Sequence, residues 1–196
     1  MVEVIAQAIK KHSIENVVLD PVMVATSGDK LMQNSTVEKL KKDLFPLATI
    51  ITPNLYEAGV LLNRKISSIE EMKLAVAELG GFGCKSVLLK GGHLSDNEMT
   101  DVLWVKGEDE TEIYTFSVDK IHTKNLHGTG CTLSSAIATF LAFGKNIPQS
   151  VKLAKTYITN AIEAGKDEKL GKGNGPVEHF YMLPKRCLYD YFNSID

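Results

Sequence analysis

Three short apolar runs, each closed by a residue that cannot continue a strand, constrain this chain more than any other feature. Val17, Val18 and Leu19 stop at Asp20 and Pro21; Ile50 and Ile51 stop at Thr52 and Pro53; Val87, Leu88 and Leu89 stop at Lys90, Gly91 and Gly92. None of the three alternates apolar with polar, so each reads as a strand buried on both faces, over residues 16–20, 49–52 and 86–90. Helical spacing fills the intervals. Residues 34–44 put Val37, Leu40 and Leu44 on one side and end before Pro46; 54–62 forms a second helix; the Ser68 to Glu71 capping box opens a third through 79. A helix over 2–12, with Val2, Ile5, Ala6 and Ile9 inward, precedes the first strand, and a polar turn falls at Ser27-Gly28-Asp29. Strands that alternate with helices imply an α/β fold, a three-layer α/β/α sandwich around a mostly parallel sheet.

After the third strand the rhythm changes. Residues 101–105 and 112–118 read as two strands joined by an acidic turn, an antiparallel hairpin. Pro148 starts a long helix to 164, with Val151, Ala154, Ile158 and Ile162 inward. The loop 165–175 is polar, and its stretch 171–175 reads as mobile surface. With 196 residues and no long linker or repeat, one core and a single domain over 1–196 are expected. The first helix has no strand before it, and the expectation is that the domain is incomplete at its N-terminal side. A net charge of −2 gives no reason to expect nucleic acid or an anionic membrane as partner, and no apolar run approaches a bilayer span. Three cysteines, Cys84, Cys131 and Cys187, form no CxxC pair, which points to a reducing compartment such as the cytoplasm.

In parallel sheets ligands bind beyond the carboxyl ends of the strands. The residues just past those ends are Asp20, Asn54 with Glu57, and Lys90. A fourth element faces the same edge: His127-Gly128-Thr129-Gly130-Cys131-Thr132, a glycine-punctuated turn running straight into a helix over 131–143. Two glycines around a threonine let successive N–H groups converge without an intervening Cβ, and the helix aims the positive end of its dipole at the same point. That is an anion site, with Cys131 at its lip. Carboxylates, one lysine, an amide and an anion nest on one rim are the parts of a metal-assisted phosphoryl transfer. Two other glycine clusters do not compete. Gly80-Gly81-Phe82-Gly83 runs from helix to strand, the reverse of a P-loop, and 171–175 lacks the dinucleotide-binding spacing. The five histidines show no metal-ligand spacing; His127 alone adjoins the anion corner.

Four motifs in one order carry a resemblance: 20–28 beginning Asp20-Pro21-Val22-Met23, then Thr52-Pro53-Asn54-Leu55-Tyr56-Glu57-Ala58, Lys90-Gly91-Gly92-His93, and His127 to Thr132. From about Val17 to Phe180 the chain resembles hydroxymethylpyrimidine/phosphomethylpyrimidine kinase, a thiamine-pathway family of the ribokinase-like superfamily. The resemblance implies ATP and Mg²⁺ as cofactors and a pyrimidine alcohol, or its phosphate, as substrate. It assigns metal and phosphate contacts to Asp20, Asn54 and Glu57, with Asp20 and Glu57 on the metal partly through water. Nucleotide phosphates go to Lys90, the anion hole to Gly128, Thr129 and Gly130, and the proton-accepting role to Cys131. It also implies further N-terminal strands and helices that carry most of the pyrimidine contacts, and a sheet edge and apolar face left without them favour a homo-oligomer, with a dimer expected. A pyridoxal-type kinase is the alternative within the class; a non-catalytic nucleotide-binding remnant lies outside it. A cysteine hydrolase built on Cys131 lacks a base with an orienting partner.

Overall fold

A computed structural model of the chain describes residues 1–23, 31–92, 94 and 97–183. The turn expected at Ser27-Gly28-Asp29, most of the 20–28 motif, His93 and Cys187 lie outside the described residues. In chain order the elements are α1 (Val2–Lys11), β1 (Val18–Leu19), α2 (Asn34–Lys39), β2 (Ile50–Ile51), α3 (Leu55–Leu62), α4 (Ile69–Gly80), β3 (Ser86–Lys90), β4 (Glu98–Val105), β5 (Glu112–Asp119), α5 (Thr129–Ala142) and α6 (Ile147–Gly165). The five strands form one open sheet in the order β1-β2-β3-β4-β5. β1, β2 and β3 run parallel, and β4 and β5 return as an antiparallel hairpin on the β3 side.

Side chains alternate across a strand, so neighbouring residues enter different cores. Ile51, Val87, Leu89, Val102 and Trp104 pack with α1 to α4. Ile50, Leu88 and Leu103 pack with α5 and α6 through Leu133, Ile137, Val151, Ala154 and Ile158. The sandwich therefore has three layers. Each apolar run of β2 and β3 is buried on both sides, as its unbroken hydrophobicity requires, and burying one such Leu or Ile contributes roughly 1.5–3 kcal/mol.

Several elements differ from the sequence expectation for identifiable reasons. The helix over 34–44 is α-helical only to Lys39; Leu40–Leu44 widens to a π turn and Phe45–Leu47 tightens to a 3₁₀ turn, because Pro46 offers no N–H to continue the ladder. Ile5, expected inward on α1, is exposed, while Ala6 is buried. The box at Ser68 closes on one side only. The Ser68 hydroxyl accepts the Glu71 N–H, but the Glu71 carboxylate turns to the N–H and hydroxyl of Ser67. At the next helix start, Asn146 accepts the Gln149 N–H and Pro148 sits in the first turn. No helix among the described residues is long and apolar enough to cross a membrane.

Candidate active site

The parallel strands deliver their terminal residues to one rim. The Thr52 N–H donates to the Leu19 carbonyl at 3.0 Å, and the Lys90 N–H donates to the Pro53 carbonyl at 2.9 Å. An isolated parallel bridge between Asn54 and Lys90 continues the β2–β3 pairing three residues beyond the Ile51–Val87 pair, to the end of β3. Asp20, Thr52, Asn54 and Lys90 are thereby held side by side by backbone pairing alone.

Their side chains then find one another. Lys90 Nζ donates to Asp20 Oδ1 at 2.8 Å, and Thr52 Oγ1 donates to the same oxygen at 3.0 Å. Both partners of this ion pair keep a minor exposure, 18% for Lys90 and 15% for Asp20, so the pair opens to the rim and is not sealed. Among the described residues Asp20 Oδ2 takes no hydrogen bond. It faces Gly130, where a Cβ would come within 3.4 Å of Oδ2 and 3.7 Å of Lys90 Nζ. The glycine corner is therefore packed directly against the lysine–aspartate pair.

Asn54 and Glu57 do something the sequence reading did not assign them. They form a complete capping box on α3: Asn54 Oδ1 accepts the Glu57 N–H at 2.9 Å, and Glu57 Oε2 accepts the Asn54 N–H at 2.8 Å. Glu57 Oε1 accepts the Met23 N–H at 3.3 Å, tying the start of the 20–28 motif to α3. Glu57 is buried, and burial pushes its carboxyl above the ordinary value, against the lowering effect of the Asn54 N–H and the Lys90 charge. An Asn followed three residues later by Glu was the legible signal for this cap.

The helix at the corner begins two residues earlier than expected, with α5 starting at Thr129 and Gly128 at its N-cap. Gly128 has φ +85°, a left-handed conformation that a Cβ would strain. Thr129 is used internally, its N–H and hydroxyl both reaching the Leu126 carbonyl. The N–H groups of Gly130 and Cys131 sit in the first turn with no acceptor among the described residues. Cys131 is exposed, and its thiol donates to the Gly128 carbonyl at 3.2 Å. Cys84 is the opposite case, wholly buried, with burial pushing its thiol up to about 11. His127 is exposed and contributes its backbone, its N–H donating to the Gly175 carbonyl.

That last bond corrects the reading of 171–175 as mobile surface at its final residue. Residues 171–174 are exposed, but Gly175 is buried, and a His127–Pro176 bridge joins this stretch to the corner. His179 was also unassigned. Its Nε2 lies 2.9 Å from Thr132 Oγ1, and with Tyr157 and Phe140 it lines a cavity of about 480 Å³ that opens beside Cys131. No group of three or more His, Cys, Asp or Glu side chains among the described residues is arranged to hold a metal by itself.

This geometry can be set beside known proteins. The sequence model of the phosphomethylpyrimidine kinase family matches residues 1–178. The chain belongs to the phosphomethylpyrimidine kinase family. It is 40% identical over 182 residues to hydroxymethylpyrimidine/phosphomethylpyrimidine kinase of Salmonella typhimurium, covering 92% of this chain and 67% of that enzyme. Among solved structures, the ADP complex of Bacillus subtilis pyridoxal kinase superposes with a TM-score of 0.82 at 33% identity, over 92% of this chain and 66% of that one. Phosphomethylpyrimidine kinase from Clostridium difficile superposes with a TM-score of 0.66 at 41% identity, over 82% of this chain and 63% of that one. The fold is thus that of the ribokinase-like vitamin kinases, and the chain spans about two thirds of the length of these relatives.

Proposed function

We propose that this chain is an ATP-dependent kinase of hydroxymethylpyrimidine and its monophosphate, serving thiamine biosynthesis in the cytoplasm. One observation carries the reading: Gly130 of the anion corner packs against the Lys90–Asp20 pair, with an exposed thiol one residue further on. In this reading Lys90 exchanges its contact with Asp20 for the nucleotide phosphates. The N–H groups of Gly130 and Cys131, in the turn shaped by Gly128 and Thr129, receive the oxygens of the phosphoryl group in transit. Cys131 Sγ, as the thiolate, takes the proton of the attacking hydroxyl as the new O–P bond forms and the bond from the γ-phosphorus to the bridging oxygen breaks, with ADP as the leaving group. A positioned base is worth roughly 10² to 10⁴ in rate.

Mg²⁺ fits the residues present. A hard cation of this size is commonly held by one or two carboxylates together with substrate phosphates, and Asp20 Oδ2 takes no hydrogen bond among the described residues. Glu57 spends both oxygens on backbone N–H groups, so it suits a role through water, with Asn54 fixing its position. The cation would neutralise charge on the transferring phosphates. Among the described residues β1 is the edge strand of the sheet, which favours assembly of a homodimer, and light scattering on purified protein tests it.

A pyridoxal-type vitamer is the second substrate reading, favoured by the higher TM-score against pyridoxal kinase than against the Clostridium enzyme. A coupled assay offering hydroxymethylpyrimidine, its monophosphate and pyridoxine with MgATP decides between them. Phosphorylation of the pyrimidines at higher kcat/KM supports the proposal, preference for pyridoxine overturns the substrate, and ATP binding without transfer to any of them supports a non-catalytic remnant.

A further inference from the structure

A buried carboxamide beside the corner has no part in the reading so far. Asn125 lies in the loop between β5 and α5 and is only 7% exposed. Its Nδ2 donates to the carbonyls of Gly165 and Glu168, each at 2.7 Å, and more weakly to Lys166 at 3.4 Å. Its Oδ1 accepts the Gly175 N–H at 3.0 Å. The final carbonyls of a helix have no partner within it, so one side chain here satisfies the end of α6 and an N–H from a distant loop together. Thr123 adds a second tie, its hydroxyl donating to the Lys166 carbonyl at 2.7 Å while accepting the Asn125 N–H. Two residues on, the His127 N–H returns to the Gly175 carbonyl at 3.1 Å. The chain entering Gly128 is thus clamped to Gly175 from both sides. The fit leaves no slack: a Cβ on Gly175 would lie 2.3 Å from Asn125 Oδ1.

We propose that Asn125 is a positioning residue for phosphoryl transfer, locking the anion corner to the end of α6 and to Gly175 so that the three hold one geometry. The inference rests on the kinase reading for its rate effect, not for the lock. Neither common replacement reproduces the lock. Alanine leaves the α6 carbonyls and the Gly175 N–H unpaired, and aspartate keeps the acceptor but sets a carboxylate against carbonyl oxygens. The corner acts on the group in flight, so its displacement lowers kcat more than it alters KM.

The test is a double-mutant cycle on the full chain, assayed well below each variant's unfolding temperature. Asn125→Ala and Gly175→Ala should each lower kcat by about tenfold to a hundredfold, the scale of a displacement near 1 Å, while KM for the alcohol stays within about twofold. Because Asn125→Ala removes the oxygen that Gly175→Ala collides with, the double variant should be no slower than the slower single. A kcat within about twofold of wild type in Asn125→Ala, or losses that multiply in the double variant, overturns the proposal. If the wild-type chain transfers no phosphate, the kinase reading fails separately and hydrogen exchange decides the lock. Amides of 126–131 should then exchange about tenfold faster in Asn125→Ala, with those of β3 unchanged. Unchanged exchange overturns it. Should Asn125→Ala not fold, Asn125→Asp carries the kcat and hydrogen-exchange comparisons as a single variant, since it keeps the oxygen that Gly175→Ala meets.

Discussion

β1 and β2 are two residues long, whereas β4 and β5 pair over eight residues each. Yet of the two residues that crowd the glycine corner, Asp20 follows the two-residue β1 and Lys90 closes the five-residue β3. Each half also carries one lysine–aspartate pair, and the two pairs differ in the same sense. Lys90 and Asp20, at the parallel rim, retain 18% and 15% exposure, and Asp20 keeps an oxygen open toward Gly130. Lys155 and Asp101, beneath the hairpin, are down to 9% and 8%. There Lys155 Nζ reaches Asp101 Oδ2 at 2.6 Å and the Met99 carbonyl at 3.0 Å, and Asp101 Oδ1 takes the Gly91 N–H. The sealed pair has little capacity left for a ligand. The open pair has partners it can exchange. Long strands and a closed ion pair supply rigidity; short strands end early enough to leave their last side chains free for chemistry.

The sharpest way to break this comparison is to remove the lysine from each pair. Lys155→Ala leaves the Asp101 charge buried without its counter-ion and should lower unfolding stability by about 3–5 kcal/mol in urea titration. Lys90→Ala leaves Asp20 near solvent and should cost far less stability, while phosphoryl transfer falls by roughly 10² to 10³. Equal stability losses in the two variants would erase the distinction. On a smaller scale, Asn54→Ala removes the side-chain half of the α3 cap, with an expected loss of about 1 kcal/mol by the same titration. No loss would mean that the Asn54–Glu57 box does not hold the rim.

The smallest expected effect is a pH dependence. Glu57 has a folded value raised by burial, so the folded state holds this proton more tightly than the unfolded chain does. Its contribution to stability is fully present below the ordinary value of 4.5 and is lost as pH rises through the folded value. Stability measured from pH 4 upward should therefore decline more in wild type than in Glu57→Gln; parallel curves would show that Glu57 is not desolvated.

The parts legible in the sequence are those set by local pattern. The run 86–90 is β3 to the residue, and Val37, Leu40 and Leu44 are buried as their spacing requires. Asp20, Lys90 and Gly130 meet because strand ends in a parallel sheet share an edge, a rule the sequence could invoke without coordinates. Strand lengths were less legible, since the ladders of β1 and β2 end before Asp20 and Thr52, whose side chains turn to each other. β4 begins three residues earlier than the apolar run because Thr100 hydroxyl bonding to Ser117 replaces apolar pairing there. The long-range polar ties left no trace. Asn125 with Gly175 and Lys155 with Asp101 lie 50 and 54 residues apart, and nothing in either local pattern names its partner.

The central claim is that the thiolate of Cys131, at the mouth of an amide-lined corner, accepts the proton of the attacking alcohol. Cys131→Ala measures it most directly, with MgATP affinity followed beside phosphoryl transfer to hydroxymethylpyrimidine. The account predicts unchanged nucleotide binding and a kcat lower by roughly 10² to 10⁴. A Cys131→Ala enzyme that turns over at the wild-type rate would contradict it.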